Sequence, residues 1–238
     1  MKNPEARQSE NIVVADSYAA LSSMVAQQIA TQLRTNPASS LGLPVGKSIT
    51  GCYDILAQWS QSPQEGLSWE KAKCFALDDY LDVDEAYSFE EFLTSKLYRF
   101  TNVQAQSCYN PRFQDNYDQV IGKVGGLDIC ILGIGRNGHI AFNEPGTPKA
   151  SWTHCVWLSE STIEANRGYF VGATKPATKA ITMGIATILS SRKIILVATG
   201  NGKKEILKRA LVGGGAEAIP ASFLTLHPNL MTVTDFHY

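Results

Sequence analysis

The chain has 238 residues, 44% of them hydrophobic and 18% charged, enough to bury a substantial core in one large domain or two small ones. Lys and Arg number 21 against 22 Asp and Glu, so the net charge of −1 and pI near 6.4 exclude a generic cationic surface for nucleic acid or acidic membranes. Any anion site must therefore be local. The first 17 residues carry no apolar signal-like core, and the aliphatic runs at 129–132 and 194–198 are too short to cross a bilayer, which predicts a cytoplasmic protein. Five scattered cysteines with no C-x-x-C pair read as reduced, packed thiols.

In chain order, apolar residues at helical spacing (Leu21, Val25, Ile29, Leu33) predict a helix over 15–33, opened by Asp16 or Ser17 and closed before Pro37. A short strand at 41–44 leads into the turn Gly46-Lys47-Ser48 and a helix over 50–59. A strand over 72–77, a helix over 88–98, a loop over 103–116, and strands over 127–134 and 155–158 follow. The rest reads as a helix over 160–170, a strand over 194–199, a helix over 203–212 and a loop at 213–215. Strands that are apolar throughout and separated by helices predict a three-layer α/β fold. Its open, mostly parallel sheet carries helices on both faces, in one domain spanning 1–238.

Ligands of such sheets bind beyond the carboxyl ends of the strands, which gives weight to four polar segments. Gly46-Lys47-Ser48 can offer backbone N–H groups and a hydroxyl to a phosphate, though a plain turn with Ser48 as N-cap fits as well. Asp78 and Asp79 follow a strand directly; the pair suits a positioned base for a C–H proton, and equally an Asx turn or helix cap. Segment 133–144 holds His139 among turn-forming glycines, with Asn137 and Glu144 near enough in sequence to orient its imidazole. Its G-x-G-x-x-G spacing matches a dinucleotide fingerprint only formally, because it comes midway along the chain without the later acidic residue. Gly200-Asn201-Gly202-Lys203 follows the 194–199 strand and can add the Lys203 charge to an anion held at a helix start. His154, His227 and His237 have no companions at metal-ligand spacing, and the four tryptophans read as core or rim.

At 133–144 the sequence resembles the glucosamine-6-phosphate deaminase/isomerase family, with its G-x-G-x-(D/N)-G-H-(I/L)-x-x-N-E-P signature. The resemblance continues at Leu41-Gly42-Leu43-Pro44-Val45-Gly46, at 75–80, at Ala180-Ile181-Thr182-Met183-Gly184, at 200–203 and at 219–228. It implies the family's sugar-phosphate isomerase type of Rossmann-like sheet. It also implies that Asp78 carries a proton between C2 and C1, that His139 opens the sugar ring, and that Asn137 and Glu144 assist it. Gly46, Lys47, Ser48 and Lys203 fall where the family holds the 6-phosphate. The family's lid arginine aligns with Gly168, leaving Arg167 one position away as the substrate-binding candidate. The implied reaction converts a hexosamine 6-phosphate to a ketohexose 6-phosphate and ammonia without metal or redox cofactor. Its partner is a small sugar phosphate rather than nucleic acid or membrane, and the protein is a monomer or homo-oligomer. Asn137 stands where glucosamine-specific members place aspartate, and Lys47 replaces a family glycine. The wording at 125–130 and 219–224 is similar to galactosamine-6-phosphate members, which favours that epimer, with glucosamine 6-phosphate next. A 6-phosphogluconolactonase shares the implied fold, but Asn143-Glu144-Pro145 argues against it. A sugar-phosphate sensor is the other rival, and the stretch 1–16 is too short for a helix-turn-helix.

Overall fold

The computed structural model describes residues 12–173 and 175–237, so expectations drawn from 1–11 lie outside the described residues. Seven strands form one sheet: β1 (Ile12–Val14), β2 (Ser40–Leu43), β3 (Lys73–Ala76), β5 (Cys108–Tyr109), β6 (Ile129–Gly133), β9 (Ile194–Ala198) and β10 (Leu230–Thr234). Their order is β1-β10-β9-β6-β2-β3-β5, and every pairing is parallel. β4 (Asp78–Tyr80), β7 (His154–Trp157) and β8 (Lys179–Thr182) build a second, antiparallel sheet in the order β4-β8-β7.

Alternation along the buried strands sends side chains to two cores. Ile129, Ile131, Ile195 and Val197 face α1 (Tyr18–Thr35) and α2 (Lys47–Gln61). Cys130, Leu132, Ile194, Leu196 and Ala198 face α4 (Tyr117–Lys123), α6 (Ile185–Leu189), α7 (Lys204–Val212) and the 3₁₀ segment Pro220–Leu226. Each fully buried aliphatic side chain contributes about 1.5–3 kcal/mol of transfer free energy, which is why these strands are the least ambiguous in the sequence. Ser17 caps α1 by accepting from the Ala20 N–H at 3.1 Å. Gly51 lets α1 and α2 cross closely, since a Cβ there would stand 2.6 Å from Ser22 Oγ. Tyr18 ties the two together by donating to the Lys47 carbonyl at 2.8 Å and accepting from Gly51 N–H at 2.9 Å.

The doubly covered parallel sheet is as the sequence predicts, with four corrections. The 154–157 strand belongs to the small antiparallel sheet rather than the main one. Segment 103–116 is not a plain loop: it contains the 3₁₀ turn Ala105–Ser107 and β5, which extends the sheet beside β3. The predicted helix over 160–170 is α5 (Glu160–Asn166) followed by a 3₁₀ turn, Arg167–Phe170. Asp78 and Asp79 lie within a strand, β4, rather than in a turn.

Along the chain, β2, β3 and β5 step outward to one side; the chain then returns to β6 beside β2 and proceeds through β9 and β10 to the other. The loops leaving β2 and β6 therefore diverge and open a crevice at the carboxyl edge of the sheet.

Candidate active site

The four segments singled out by sequence leave the carboxyl ends of four adjacent strands, β9, β6, β2 and β3. After β2, Gly46 with φ +143° is the N-cap of α2, and Lys47 opens the helix. Ser48 is thus inside the first turn and is not the N-cap, a correction that frees its hydroxyl from capping. A Cβ on Gly133, the last residue of β6, would lie 3.3 Å from Ser48 Oγ, so the start of α2 sits against the end of β6. Lys203 approaches the same edge from the 3₁₀ turn Asn201–Lys203, donating from Nζ to the Ile134 carbonyl at 2.7 Å. Burial and the neighbouring Arg136 charge hold the Lys203 ammonium below the usual lysine range. Lys47 and Arg136 are exposed.

The two aspartates separate cleanly. Asp79 is a structural anchor: its carboxylate accepts from the Tyr80, Phe89 and Glu90 N–H groups at 2.7, 2.8 and 3.3 Å, and from Asn110 Nδ2 at 2.7 Å. It thereby fastens the first turn of α3 (Phe89–Lys96), whose N-cap Ser88 accepts from Glu91 N–H. Asp78 is buried, and none of the described residues donates to its carboxylate. Burial first, and the Asp79 charge second, raise its pKa well above the ordinary carboxylate range. Leu77, just before it, bonds the β2 carbonyl of Leu43 at 3.2 Å, while Asp78 itself pairs with Thr182 across β4 and β8.

Thr182 also receives the histidine loop, since its Oγ1 accepts from the Phe142 N–H at 3.1 Å. Within that loop the Gly135 N–H bonds the His139 carbonyl at 2.9 Å, and Gly138 adopts φ +87°. A Cβ at Gly138 would meet Ile219 at 2.6 Å, and Ala221 N–H bonds the Gly138 carbonyl, so the 219–221 segment props the turn. The imidazole lies over Gly135, where an added Cβ would stand 2.3–2.4 Å from ring atoms. The glycine spacing thus makes room for a ring, not for a dinucleotide.

Glu144 Oε1 lies 3.5 Å from His139 Nδ1, close enough for an ion pair but without a hydrogen bond. Asn137 makes no hydrogen bond to the imidazole itself. Its Oδ1 accepts from the His139 backbone N–H at 3.1 Å, and its Nδ2 donates to Glu144 Oε2 at 2.6 Å, so it orients the ring only through the backbone and Glu144. Burial lowers the His139 pKa below the ordinary value, Glu144 opposes that, and Lys203 adds to it. His139 is therefore neutral near pH 7 and equipped to take up and return a proton.

Arg167 is exposed and its Nε donates to Glu164 Oε2 at 2.8 Å, so its charge is engaged on α5 rather than with Lys203 or the Gly46 turn. His154 and His227 bond backbone carbonyls, of Trp152 and Ser191. Among the described residues no three His, Cys, Asp or Glu side chains converge as metal ligands would. No described helix is long and apolar enough to cross a membrane.

The model of the glucosamine-6-phosphate isomerases/6-phosphogluconolactonase family matches residues 14–233. The chain belongs to this family. A glucosamine-6-phosphate deaminase of Lachnoclostridium phytofermentans is 37% identical over 235 residues, covering 94% of this chain and 99% of the relative. Glucosamine-6-phosphate deaminase 2 of Giardia intestinalis is 40% identical over 239 residues, covering 96% of this chain and 89% of its own. A solved monomeric glucosamine-6-phosphate deaminase superposes with a TM-score of 0.88 at 34% identity, covering 94% of this chain and 96% of that one. This family member is, like these relatives, an enzyme.

Two site features were not visible in the sequence. Thr162, on α5, donates to Glu144 Oε1 at 2.5 Å from 18 positions away, and nothing in its local wording signals this. Arg136 stands near Lys203, and only the chain order Arg136-Asn137-Gly138-His139 hinted at a cation beside the site.

Proposed function

We propose that the protein deaminates a hexosamine 6-phosphate, glucosamine 6-phosphate in particular, to a 2-ketohexose 6-phosphate and ammonia. The observation that carries this reading is the convergence on Thr182 of an unpartnered buried carboxyl, Asp78, and the loop bearing the His139–Glu144 pair. Neutral His139 takes the O1 proton and returns it to the ring oxygen, opening the sugar. The substrate ammonium, placed near Asp78, favours the ionised carboxylate against the burial that disfavours it. Asp78 then takes the C2 proton while the substrate ammonium gives one of its protons to O1, leaving a neutral enolamine. Return of the proton to C1 gives a C2 iminium, which water converts to the ketone as ammonia leaves. The phosphate dianion is held by the start of α2, with Gly46, Lys47 and Ser48, and by Lys203. Arg167 would join them only by leaving Glu164.

The relatives compared above are all named for glucosamine 6-phosphate, and they lend no support to the galactosamine preference expected from 125–130 and 219–224. A lactonase needs no group to move a carbon-bound proton and leaves the buried, unpaired Asp78 without a task. Ammonia release measured on glucosamine and galactosamine 6-phosphates tests the reading. The expected result is turnover of the glucosamine compound with kcat/KM at least about tenfold higher, the scale of one mispaired hydroxyl. Absence of ammonia from both, with hydrolysis of 6-phosphogluconolactone, would overturn it; equal or better use of the galactosamine epimer would move the substrate assignment alone.

A further inference from the structure

Glu144 has two carboxylate oxygens and three claimants. Asn137 Nδ2 donates to Oε2 at 2.6 Å, and Thr162 Oγ1 donates to Oε1 at 2.5 Å. His139 Nδ1 faces that same Oε1 from 3.5 Å, is shielded from solvent, and has no hydrogen-bond partner. The polarity of the threonine bond is set by the carboxylate, which can only accept, so the Thr162 proton goes to Oε1, with Ser159 Oγ 3.0 Å behind the hydroxyl. A buried ring nitrogen beside a carboxylate that is engaged elsewhere is costly, and such arrangements persist where the surrounding structure enforces them.

The enforcement comes from α5 and the turn after it. Thr162 is buried, and Tyr169 and Phe170 pack their rings against Tyr80, with Phe170 also near Tyr87 and Tyr169 near Phe89. Tyr87 adds a hydrogen bond to the Val171 carbonyl at 3.1 Å. The seating of 160–171 on the small sheet thus fixes where the Thr162 hydroxyl stands.

We propose that Thr162 is a positioning residue for the reaction above: its hydroxyl withholds Glu144 Oε1 from His139, so the seating of α5 sets the basicity of the imidazole. The proposal rests on His139 as the proton carrier for ring opening, yet its test reads ring ionisation without substrate. The charged groups that bear on the ring are Glu144, on its own loop, and Lys203, from the turn after β9, with Arg136 acting through Lys203. Only the first is touched by Thr162. Removing the hydroxyl lets Oε1 close on Nδ1–H and strips one donor from the carboxylate, and both effects favour the imidazolium.

The experiment is an NMR titration of the His139 ring in the full-length protein, comparing wild type, Thr162→Val and Thr162→Ser. Thr162→Val, which keeps the shape and deletes the hydroxyl, is expected to raise the midpoint by roughly half a pH unit or more, and Thr162→Ser to leave it unmoved. The acid limb of kcat/KM against pH should move by the same amount. A midpoint in Thr162→Val equal to or below wild type, or an equal rise in both variants, would overturn the proposal, since the second result reports lost packing rather than a lost hydroxyl. Should Thr162→Val not fold, Thr162→Cys, whose thiol is a weaker donor, is read by the same criteria. Absence of deaminase activity with the midpoint shift present would sink the functional reading and leave the positioning role standing.

Discussion

Gly135→Ala isolates the geometric demand of the His139 loop. Gly135 does not have a positive φ, so alanine is compatible with its backbone. The whole effect must come from the new methyl. That methyl would lie 2.3 Å from His139 Cε1 and 2.4 Å from Nδ1 and Nε2, whereas ordinary contacts begin near 3.4 Å. The ring must therefore retreat by about 1 Å, a displacement that typically costs on the order of a hundredfold in rate. Overpacking of this kind destabilises by about 1–3 kcal/mol, and each kcal/mol lowers Tm by roughly 2–4 °C in a chain of this length. The assay is ammonia release at saturating sugar phosphate, with thermal unfolding followed in parallel. The expected outcome is a kcat lower by about a hundredfold with KM little changed, because the three atoms nearest the new methyl all belong to the His139 ring and none to the proposed phosphate-binding groups. A variant within threefold of the wild-type kcat would refute the reasoning: the imidazole would then tolerate displacement and could not be the group that moves the ring-opening proton.

Asp78→Asn should lower kcat by roughly a hundredfold or more, the usual scale for a lost general base, while raising Tm at neutral pH. The sign follows from its raised pKa: the unfolded chain ionises above about pH 3.9 while the folded carboxyl resists. Wild type therefore loses stability as pH rises from that value toward the folded pKa, and the variant does not. A Tm gain that is the same at pH 3 and pH 7 would contradict this assignment. Lys203→Ala should raise KM for the sugar phosphate by about tenfold or more, the worth of a charged hydrogen bond, and weaken competition by inorganic phosphate in parallel. An unchanged KM would remove Lys203 from the phosphate site.

What was legible in the sequence followed from burial on both faces. β6 and β9 are apolar throughout because each lies between two cores, and their neighbours could be ordered as strand–helix units without further help. The three residues of β4 gave no strand signal, since two are carboxylates whose burial depends on partners elsewhere in the chain. For the same reason local wording does not separate Asp78 from Asp79, and only the family resemblance singled out Asp78. Asn110 and the first turn of α3 decide it, from 31, 10 and 11 positions away. β5 was hidden because two residues carry no periodicity. The glycines of 133–138 were correctly read as a turn, but clearance for an imidazole above Gly135 is a tertiary demand that no spacing rule encodes. Thr162 was invisible for the related reason that its partner, Glu144, belongs to another loop.

Asp78 is the second residue beyond the end of β3 and the first of the small antiparallel sheet, so it stands on a joint between two plates. Each plate has its own glue: the small one is cemented by Tyr80, Phe89, Phe142, Phe170 and their neighbours, a cluster of its own that meets the first large core at Val45. The proposed phosphate-binding groups ride on the large plate, whereas the proposed base and Thr162 ride on the small one or on what packs against it. Catalytic alignment is thus a property of the joint rather than of either plate. On the proposed reading, the seven-stranded sheet holds the sugar phosphate while a slight slip of its companion idles the chemistry, so substitutions among those aromatic rings should lower turnover before they loosen phosphate binding.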